Sequence, residues 1–318
     1  MTVPVSPGYD ALRTGAGVVD FRDFGVVVVA GADARTFLQS LVSQDLDSIA
    51  SGQGCDSLLL QPTGKMGTRF RLLALDEEFW LVVEPGASAD LAGALARYVI
   101  RVDVEIEDRS AAMGVVALRG PGAVTVASAA GAPVPEADHG HAPWGAHRIA
   151  RVPGATGGLD VVGPLDQLDD AESALRGAGA VPAGAPDWER ARVEDGVPRQ
   201  GVDLDEDTIP QEAFLDVTAV SFDKGCFLGQ ELVCRIRDRG HVNRLLRRVR
   251  VGGTPPPVGA EIVVGDKVVG GLTSVVALED GSVALGYVRR EVEPGASVTV
   301  RWDGGEADAV VDAVPPAP

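Results

Sequence analysis

The sequence has few cysteines and no long apolar run. Its three cysteines, Cys55, Cys226 and Cys234, include no CxxC pair, so a single chain can build neither a disulfide framework nor a four-cysteine metal or cluster site. An apolar run such as residues 26–30 is far shorter than the roughly 20 residues that a membrane-spanning helix needs, and the first ten residues have no signal-peptide pattern. These absences predict a cytoplasmic protein without a membrane anchor.

The chain also has little positive charge and very little lysine. Its 28 lysines and arginines face 46 aspartates and glutamates, and the net charge of −18 repels phosphate, so we expect no direct nucleic-acid or membrane binding. Only three of the basic residues are lysines, which makes Lys65, Lys224 and Lys267 candidates for positions that need a compact, titratable ammonium. The alternative is that chance left lysine at these positions.

Positive charge is concentrated in residues 235–250. This segment contains one acid, Asp238, and seven arginines: Arg235, Arg237, Arg239, Arg244, Arg247, Arg248 and Arg250. We expect any anionic ligand to bind at this local patch, although a solvated surface is the simpler interpretation of a charge run.

Two stretches of the chain show the same order of elements. In each stretch, a strand, a Gly/Pro turn and a helix follow one another, and this order then occurs a second time. The first stretch contains residues 26–44 and 79–99, and the second contains residues 114–131 and 159–179. Their apolar periodicity predicts two α+β units, each with helices packed on a mostly antiparallel sheet.

The C-terminal part of the chain has a different pattern. From Leu245 onward, short β-rich runs alternate with Gly, Pro and Asp turns, which predicts a small all-β barrel. We therefore expect a first α+β domain (1–110), a second α+β domain (111–240) and a β-barrel domain (241–318), and the first two can interleave along the chain.

Common cofactor motifs are incomplete. GAGVVD (15–20) lacks the third glycine and the preceding strand of a dinucleotide site, and TGKMG around Lys65 lacks the Ser/Thr of a P-loop. His139, His141 and His147 lie in a Pro/Gly-rich stretch without cysteine spacing, so we predict solvated histidines rather than metal ligands. The sequence therefore predicts no nucleotide site and no metal site.

The most informative motif is KGCFLGQE (224–231), in a polar region rich in Gly and Pro that is typical of ligand-binding loops. It places Lys224 and Cys226 two residues apart, just before a helix predicted to begin near Gln230 or Glu231. A thiol beside an ammonium and a helix N-terminus favours the thiolate, which predicts a pKa below the usual value of about 8.5. Lys224 and Cys226 are therefore the predicted catalytic residues. The alternative is that Cys226 is a small buried apolar residue.

KGCFLGQE resembles the signature of the YgfZ family, which are folate-binding proteins related to the glycine-cleavage T-protein and to mitochondrial iron–sulfur assembly factors. Residues 31–45, 62–73 and 270–278 resemble other segments of this superfamily, so the similarity covers nearly the whole chain. The superfamily pattern R-x3-G-x-P-x2-G-x-D…P-x-E is matched by Arg192, Gly196, Pro198, Gly201, Asp203, Pro210 and Glu212.

The resemblance implies an α+β fold in which two ferredoxin-like α+β domains and a C-terminal β-barrel form a cloverleaf around a central channel for tetrahydrofolate. A carboxylate can accept hydrogen bonds from the exocyclic amino group and the adjacent ring N–H of a pterin, and this role is expected of Glu212. The alternative is that Glu212 only caps a helix after Pro210. The anionic glutamate tail of folate would meet arginines. The other predicted folate-binding residues are Arg192, Gln230, Arg235, Arg239 and Arg244.

The implied function is to support assembly or repair of iron–sulfur clusters in client enzymes, including enzymes that modify tRNA, by a monomer without classical turnover. Cys226 would contact a client's cluster iron or take part in redox or one-carbon chemistry with folate. T-proteins have an acid where this chain has Thr68 and Arg69. A tetrahydrofolate-dependent aminomethyltransferase is therefore the alternative rather than the leading function. A third possibility is a scaffold whose arginines bind an acidic partner or RNA.

Overall fold

The computed structural model describes residues 5–314. Its strands, in chain order, are β1 (Gly17–Phe21), β2 (Gly25–Ala30), β3 (Gly54–Leu60), β4 (Met66–Ala74), β5 (Glu78–Val83), β6 (Glu105–Asp108), β7 (Met113–Arg119), β8 (His141–Trp144), β9 (His147–Val152), β10 (Gly158–Pro164), β11 (Val181–Ala183), β12 (Arg244–Val251), β13 (Glu261–Val264), β14 (Lys267–Leu278), β15 (Gly281–Arg289), β16 (Ser297–Trp302) and β17 (Gly305–Ala313). Its α-helices are α1 (Pro7–Thr14), α2 (Ala34–Leu41), α3 (Ser88–Ala96), α4 (Ala123–Ala129), α5 (Leu168–Gly177), α6 (Ala185–Asp195) and α7 (Gln230–Arg239). Two short 3-10 turns are formed by Leu165–Gln167 and Pro210–Ala213. Among the described helices, none has the length and apolar character needed to cross a membrane.

The first sheet contains five antiparallel strands in the order β3-β4-β5-β2-β6. The valines at 26–29 in β2 are all buried, because this strand is covered on both faces. Helices α2 and α3 cover one face, where Leu38 and Leu91 pack in a core with Phe70 and Leu72.

The second sheet contains six strands in the order β11-β1-β7-β10-β9-β8. Only the β1–β11 pair is parallel. Helices α4 and α5 bury Ala123, Leu168 and Leu175 against this sheet. Because β1 pairs with β7 and β11, residues 7–21 belong structurally to the second unit, and the two sheets interleave along the chain instead of dividing at residue 110.

The two sheets pack against each other through one apolar layer and one ion cluster. Val28 and Trp80 of the first sheet share a core with Val115 of the second. Beside this core, the Asp160 carboxylate accepts hydrogen bonds from the guanidinium groups of Arg71 and Arg119. Burial of charged side chains between sheets requires such pairing, because an unpaired charge there would be strongly destabilising.

The C-terminal strands form a closed antiparallel barrel in the order β12-β15-β14-β13-β16-β17. Its core is rich in valine, including Val249, Val288, Val300 and Val311. This barrel and the two α+β sheets confirm the predicted fold class. Helix α7, which begins at Gln230 as predicted, connects the second unit to the barrel.

The three units meet at one apolar cluster. It contains Leu58 from the first sheet, Val193 from α6 of the second unit, Leu215 and Val233 from the segment that precedes the barrel, and Tyr287 from the barrel itself. The KGCFLGQE turn and the 3-10 turn Pro210–Ala213 both lie in the segment that supplies this cluster, so the fold brings the predicted site to the junction of all three units.

Candidate functional site

The Lys224 ammonium is bound by the end of helix α2. Its Nζ donates hydrogen bonds to the backbone carbonyls of Gln39, Val42 and Gln44, at 2.7, 2.8 and 2.9 Å. All three ammonium protons are therefore used within the protein. A compact ammonium suits this tripod of carbonyls, whereas a planar guanidinium does not. Burial lowers the pKa of Lys224 to about 8.

These contacts change the expected role of Lys224. It was predicted to be catalytic, but its nitrogen has no proton left for a substrate while the three bonds are intact. The structure makes it a clamp that fixes the start of the KGCFLGQE turn to the first sheet. A lysine two residues before a cysteine gives no sign of this in the sequence, because its three partners lie about 180 residues earlier in the chain.

The Cys226 side chain is exposed, so it is not the small buried residue of the alternative interpretation. The next residue, Phe227, is buried and anchors the turn. Gly229 has φ of 76°, and a Cβ there would collide with the carbonyl oxygen of Gln61, so the turn needs glycine at this position. The buried Phe227 after the cysteine and the bound ammonium of Lys224 before it thus hold the turn, while the thiol stays exposed.

Gln230 and Cys55 have structural surroundings. The Gln230 side chain accepts a hydrogen bond from the Phe227 backbone N–H at 3.2 Å, so its amide closes the turn at the start of α7. This contact uses the oxygen of a residue that was predicted to bind folate. Cys55 is buried in the first sheet, where burial raises the pKa of its thiol. Cys55 is therefore an inert core residue.

Glu212 lies in the 3-10 turn with one carboxylate oxygen fixed and the other free. Its Oε2 accepts hydrogen bonds from the Ile209 backbone N–H at 3.2 Å and from Arg244 Nε at 3.1 Å. Its Oε1 accepts none from residues 5–314, although the side chain is only 7% exposed. Glu212 thus caps its own turn, as the alternative interpretation expected, and its other oxygen has no donor in the described part of the chain.

Arg244 supports Glu212 from the first residue of the barrel. Its guanidinium lies over the ring of Tyr287, with 4.6 Å between the guanidinium carbon and the ring centroid. Burial raises the pKa of the Tyr287 hydroxyl, so this ring stays neutral. An arginine stacked on an aromatic ring and paired with a carboxylate has a restricted orientation. Of the predicted folate-binding residues, Glu212 and Arg244 are the two that the structure brings into contact.

Arg192 does not face a ligand. Its side chain is only 2% exposed, and its five guanidinium N–H groups have partners in Glu189, Val197, Asp203 and Ser274. The predicted role in folate binding is therefore replaced by a structural one, because Arg192 ties α6 to the loop after it and to the barrel. The sequence motif alone does not distinguish a buried arginine from one that lines a site.

The arginines of residues 235–250 separate into different environments. Arg235 and Arg239 are exposed on α7 and form no ion pair with residues in the described part of the chain. Arg250 pairs with Asp312, and Arg247 is buried. The predicted basic patch is therefore confined mainly to α7 and the residues next to it.

Glu84 is a candidate residue that the sequence did not reveal. It directly follows β5, and the register of β4 and β5 places it across from Arg69. Its Oε2 accepts a hydrogen bond from the Gln200 backbone N–H at 3.0 Å. Burial raises the pKa of Glu84 to about 7, even though Arg69, Arg192 and Arg199 are close enough to oppose this shift. The position of Glu84 across from Arg69 follows from the pairing register of β4 and β5, and no local motif in the sequence indicates it.

The histidines are not solvated as predicted. His141 and His147 are buried. His141 Nε2 lies 3.0 Å from the Ala74 carbonyl, and its Nδ1 accepts a hydrogen bond from Arg148 at 2.7 Å. Burial lowers the pKa of His141 to about 4. A neutral histidine with both ring nitrogens occupied is a structural residue. Within residues 5–314 there is no group of three or more His, Cys, Asp or Glu side chains placed to hold a metal ion.

Two cavities are separate from the Glu212 and Cys226 side chains. The larger has a volume of about 600 Å³, and its lining residues come from the 3-10 turn, α7, the start of the barrel and the loop after β15: Gln211, Ile236, Arg237, His241, Val242, Leu245, Arg290, Glu291 and Glu293. The smaller, of about 340 Å³, lies between α1, α6 and the loop at residues 154–157. Neither Glu212 nor Cys226 lines these two cavities.

Two interleaved α+β units followed by a closed barrel form the fold of the glycine-cleavage T-protein. The crystal structure of glycine cleavage system aminomethyltransferase T from Bartonella henselae matches this chain with a TM-score of 0.88. The match covers 100% of this chain and 91% of that one at 23% sequence identity, and it shows the fold.

Sequence comparisons agree with this fold. The family described as the GCVT N-terminal domain matches residues 4–157. The chain is 28% identical to a putative chloroplastic transferase of Arabidopsis thaliana, over 96% of this chain and 72% of that protein. It is 29% identical to an aminomethyltransferase of Rubrobacter xylanophilus, over 92% of this chain and 81% of that protein. These findings support the T-protein-like superfamily and do not distinguish its YgfZ branch.

Proposed function

We propose that this chain binds tetrahydrofolate and that Glu212 and Arg244 form the centre of the binding site. The proposal depends on one observation above all: Glu212 Oε2 is held by two donors, whereas Oε1 accepts no hydrogen bond within residues 5–314 on a side chain that is only 7% exposed. An acceptor of this kind fits a ligand with an N–H donor, as the pterin ring has. The T-protein-like fold and relatives named aminomethyltransferase are consistent with the proposal.

The surroundings of Glu212 explain how the ligand would be oriented. Arg244 fixes the Glu212 carboxylate and carries a positive charge beside it, and Tyr287 holds Arg244 in place. Arg235 and Arg239 are exposed and free of ion pairs within residues 5–314, and we propose that they bind the anionic glutamate tail. Gln230 and Arg192 would act indirectly, by fixing the backbone on either side of the site.

One candidate reaction is aminomethyl transfer to tetrahydrofolate. Its support comes from relatives that carry this name and from the T-protein-like fold. Transfer of a carbon between nitrogens needs a group that accepts and donates protons near the reacting atoms. Thr68 and Arg69 have no carboxylate, but Glu84 lies across the hairpin from Arg69 with a pKa raised to about 7. We therefore propose Glu84 for that role.

The second candidate is a YgfZ-like role in assembly or repair of iron–sulfur clusters in client enzymes, including tRNA-modifying enzymes, within the cytoplasm. The exposed thiol of Cys226 favours it, because a cysteine held outward on a clamped turn is accessible to a partner's cluster or to an oxidant. Aminomethyl transfer gives this thiol no evident task. The names of the relatives favour the first candidate, whereas the KGCFLGQE turn favours the second.

Three measurements test these proposals separately. Calorimetric titration with tetrahydrofolate tests binding, and no heat of binding in the wild-type chain would refute the folate site itself. A glycine-cleavage assay then separates the reactions. Turnover of roughly 1 to 1000 per second, in the range of ordinary enzymes, identifies an aminomethyltransferase. Binding without turnover, together with lost client-enzyme activity in cells that lack the chain, identifies the YgfZ-like role.

A further inference from the structure

The larger cavity lies next to the proposed folate site and is not part of it. Arg244 and Leu245 are neighbours on β12, so their side chains point to opposite faces of the strand. Arg244 pairs with Glu212, and Leu245 lines the cavity. Gln211 lines the cavity too, next to Glu212 in the same 3-10 turn. The cavity is therefore separate from the Glu212 carboxylate, although it shares backbone elements with it.

The buried end of this cavity contains an acceptor without a donor. The Gln211 side chain is only 8% exposed, and its Nε2 donates to the Val233 carbonyl at 2.8 Å. This bond fixes the amide, and its Oε1 has no hydrogen-bond partner in residues 5–314. A buried amide oxygen without a donor is destabilising by about 1–3 kcal/mol, so a ligand that brings an N–H group gains from this position.

The rest of the cavity has an apolar centre and a charged rim. Ile236, Val242 and Leu245 supply the apolar surface. Arg237, which also pairs with Asp238 at 2.7 Å, and His241 lie on the α7 side, and two of the three charged lining residues on the loop after β15 are acidic. The charged residues of that loop are Arg290, Glu291 and Glu293. An apolar centre inside a solvated, charged rim is the usual anatomy of a protein-binding surface.

We propose that this cavity binds a short peptide segment of a partner protein, with an apolar side chain at its centre, an acidic residue toward α7 and a basic residue toward Glu291 and Glu293. A peptide N–H would donate to Gln211 Oε1. The volume of about 600 Å³ lies within the range of about 300–1,000 Å³ for sites that hold compact ligands, and a peptide of a few residues is of that size. The mixed charge of the rim excludes a uniformly acidic or basic ligand, because either one would meet like charge on one side.

The position of the cavity gives such a partner access to the KGCFLGQE turn. Helix α7 begins directly after this turn and carries Ile236 and Arg237 to the cavity. Ten helical residues span about 15 Å. A partner docked through its peptide segment would therefore have its adjoining surface within reach of the exposed Cys226 thiol. The proposal concerns docking and holds whichever reaction the site performs.

Fluorescence anisotropy with the full chain tests the proposal. The probe is a labelled hexapeptide with two glutamates, leucine, isoleucine and two lysines in that order, and the control peptide has two serines in the centre. We expect the apolar peptide to bind at least tenfold more tightly than the serine peptide. We expect Leu245→Ser to remove this difference, and Val264→Ser, an exposed valine elsewhere on the barrel, to preserve it.

A second variant does not depend on the apolar packing. We expect reversal of two exposed charges, Glu291→Lys with Glu293→Lys, to weaken binding of the probe at least tenfold. The same variant should bind a peptide with glutamates at both ends as tightly as the wild type binds the probe. Saturating tetrahydrofolate should change the affinity for the probe less than twofold. Equal affinity for the apolar and serine peptides, insensitivity to the charge reversal, or competitive displacement by tetrahydrofolate would each overturn the proposal. Displacement by folate would assign the cavity to the folate site instead.

Discussion

Arg244 Nε donates a hydrogen bond of 3.1 Å to Glu212 Oε2 and leaves Glu212 Oε1 free. The pair joins the first strand of the barrel to the 3-10 turn of the preceding segment. A carboxylate fixed through one oxygen keeps a constant orientation, so the pair links two units and, in the proposed function, holds the other oxygen in place for the ligand.

We expect Glu212→Gln to weaken tetrahydrofolate binding by roughly 10- to 100-fold. A hydrogen bond to a charged group contributes about 1.5–3 kcal/mol, and the neutral amide loses both the charge and part of the Arg244 contact. Calorimetric titration measures the change. Glu291→Gln, on the exposed loop after β15, is the matched control and should bind folate as the wild type does. Unchanged affinity in Glu212→Gln would remove this carboxylate from the site.

Lys224→Met should loosen the KGCFLGQE turn. It removes three hydrogen bonds and leaves three carbonyls near α2 without a donor, which we expect to lower the free energy of unfolding by about 1–3 kcal/mol. Hydrogen exchange of residues 221–229 should become faster. Lys224→Arg should not rescue the turn, because a planar guanidinium does not match the tripod. Lys267→Met, at an exposed lysine, is the control. Wild-type exchange in Lys224→Met would show that the ammonium is not a clamp.

Cys226→Ala should change function without changing stability. The thiol is exposed, so we expect the free energy of unfolding and the folate affinity to stay within about 0.5 kcal/mol of the wild type. Client-enzyme activity should be lost if the YgfZ-like role is correct. Cys55→Ala is the opposite case, because a buried side chain is shortened in the core, and it should lower stability without affecting that activity. Full client activity in Cys226→Ala would exclude the thiol from the mechanism.

Glu84 should make the stability of the protein depend on pH in an unusual direction. Its pKa is raised from 4.5 to about 7, so between these values the folded state binds more protons than the unfolded state. Stability from this group is therefore complete below pH 4.5 and is lost as the pH rises toward 7, by about 3 kcal/mol. We expect Glu84→Gln to be more stable than the wild type at pH 8, as measured by urea unfolding.

The same variant should show no gain at pH 4.5, where the wild-type carboxyl is already neutral. Glu78→Gln, at the other end of β5, serves as the control and should leave the pH profile unchanged. Parallel profiles for Glu84→Gln and the wild type would mean that Glu84 titrates like an ordinary exposed glutamate.

Much of the architecture could be predicted from the sequence because local patterns determine it. The valines of β2, the short runs of the barrel and the start of α7 at Gln230 follow from periodicity and turn residues. The roles of individual site residues depend on partners far away in the chain. Lys224 is bound by carbonyls of residues 39–44, and Arg192 by Ser274, and no local pattern encodes either contact.

The YgfZ resemblance likewise predicts positions of interest without predicting the contacts that those residues make. It predicted a site at the turn that carries Cys226 and at Glu212, where the structure has an exposed thiol and an acid with one oxygen that accepts no hydrogen bond from residues 5–314. It did not indicate that Arg192 is enclosed or that Glu84 lies across from Arg69. Such information is contained in strand register and burial, which the order of residues specifies only through the complete fold.

The pairing of β1 with β11 has a consequence for synthesis on the ribosome. Gly17 lies beside Val181, so the N-terminal strand emerges long before its neighbour has been translated. The strands of the first sheet, by contrast, all lie within residues 25–108, and those of the barrel within residues 244–313. The nascent chain is therefore able to form its first sheet before β11, the partner strand of β1, has been synthesised. Contacts of such long separation in sequence form slowly.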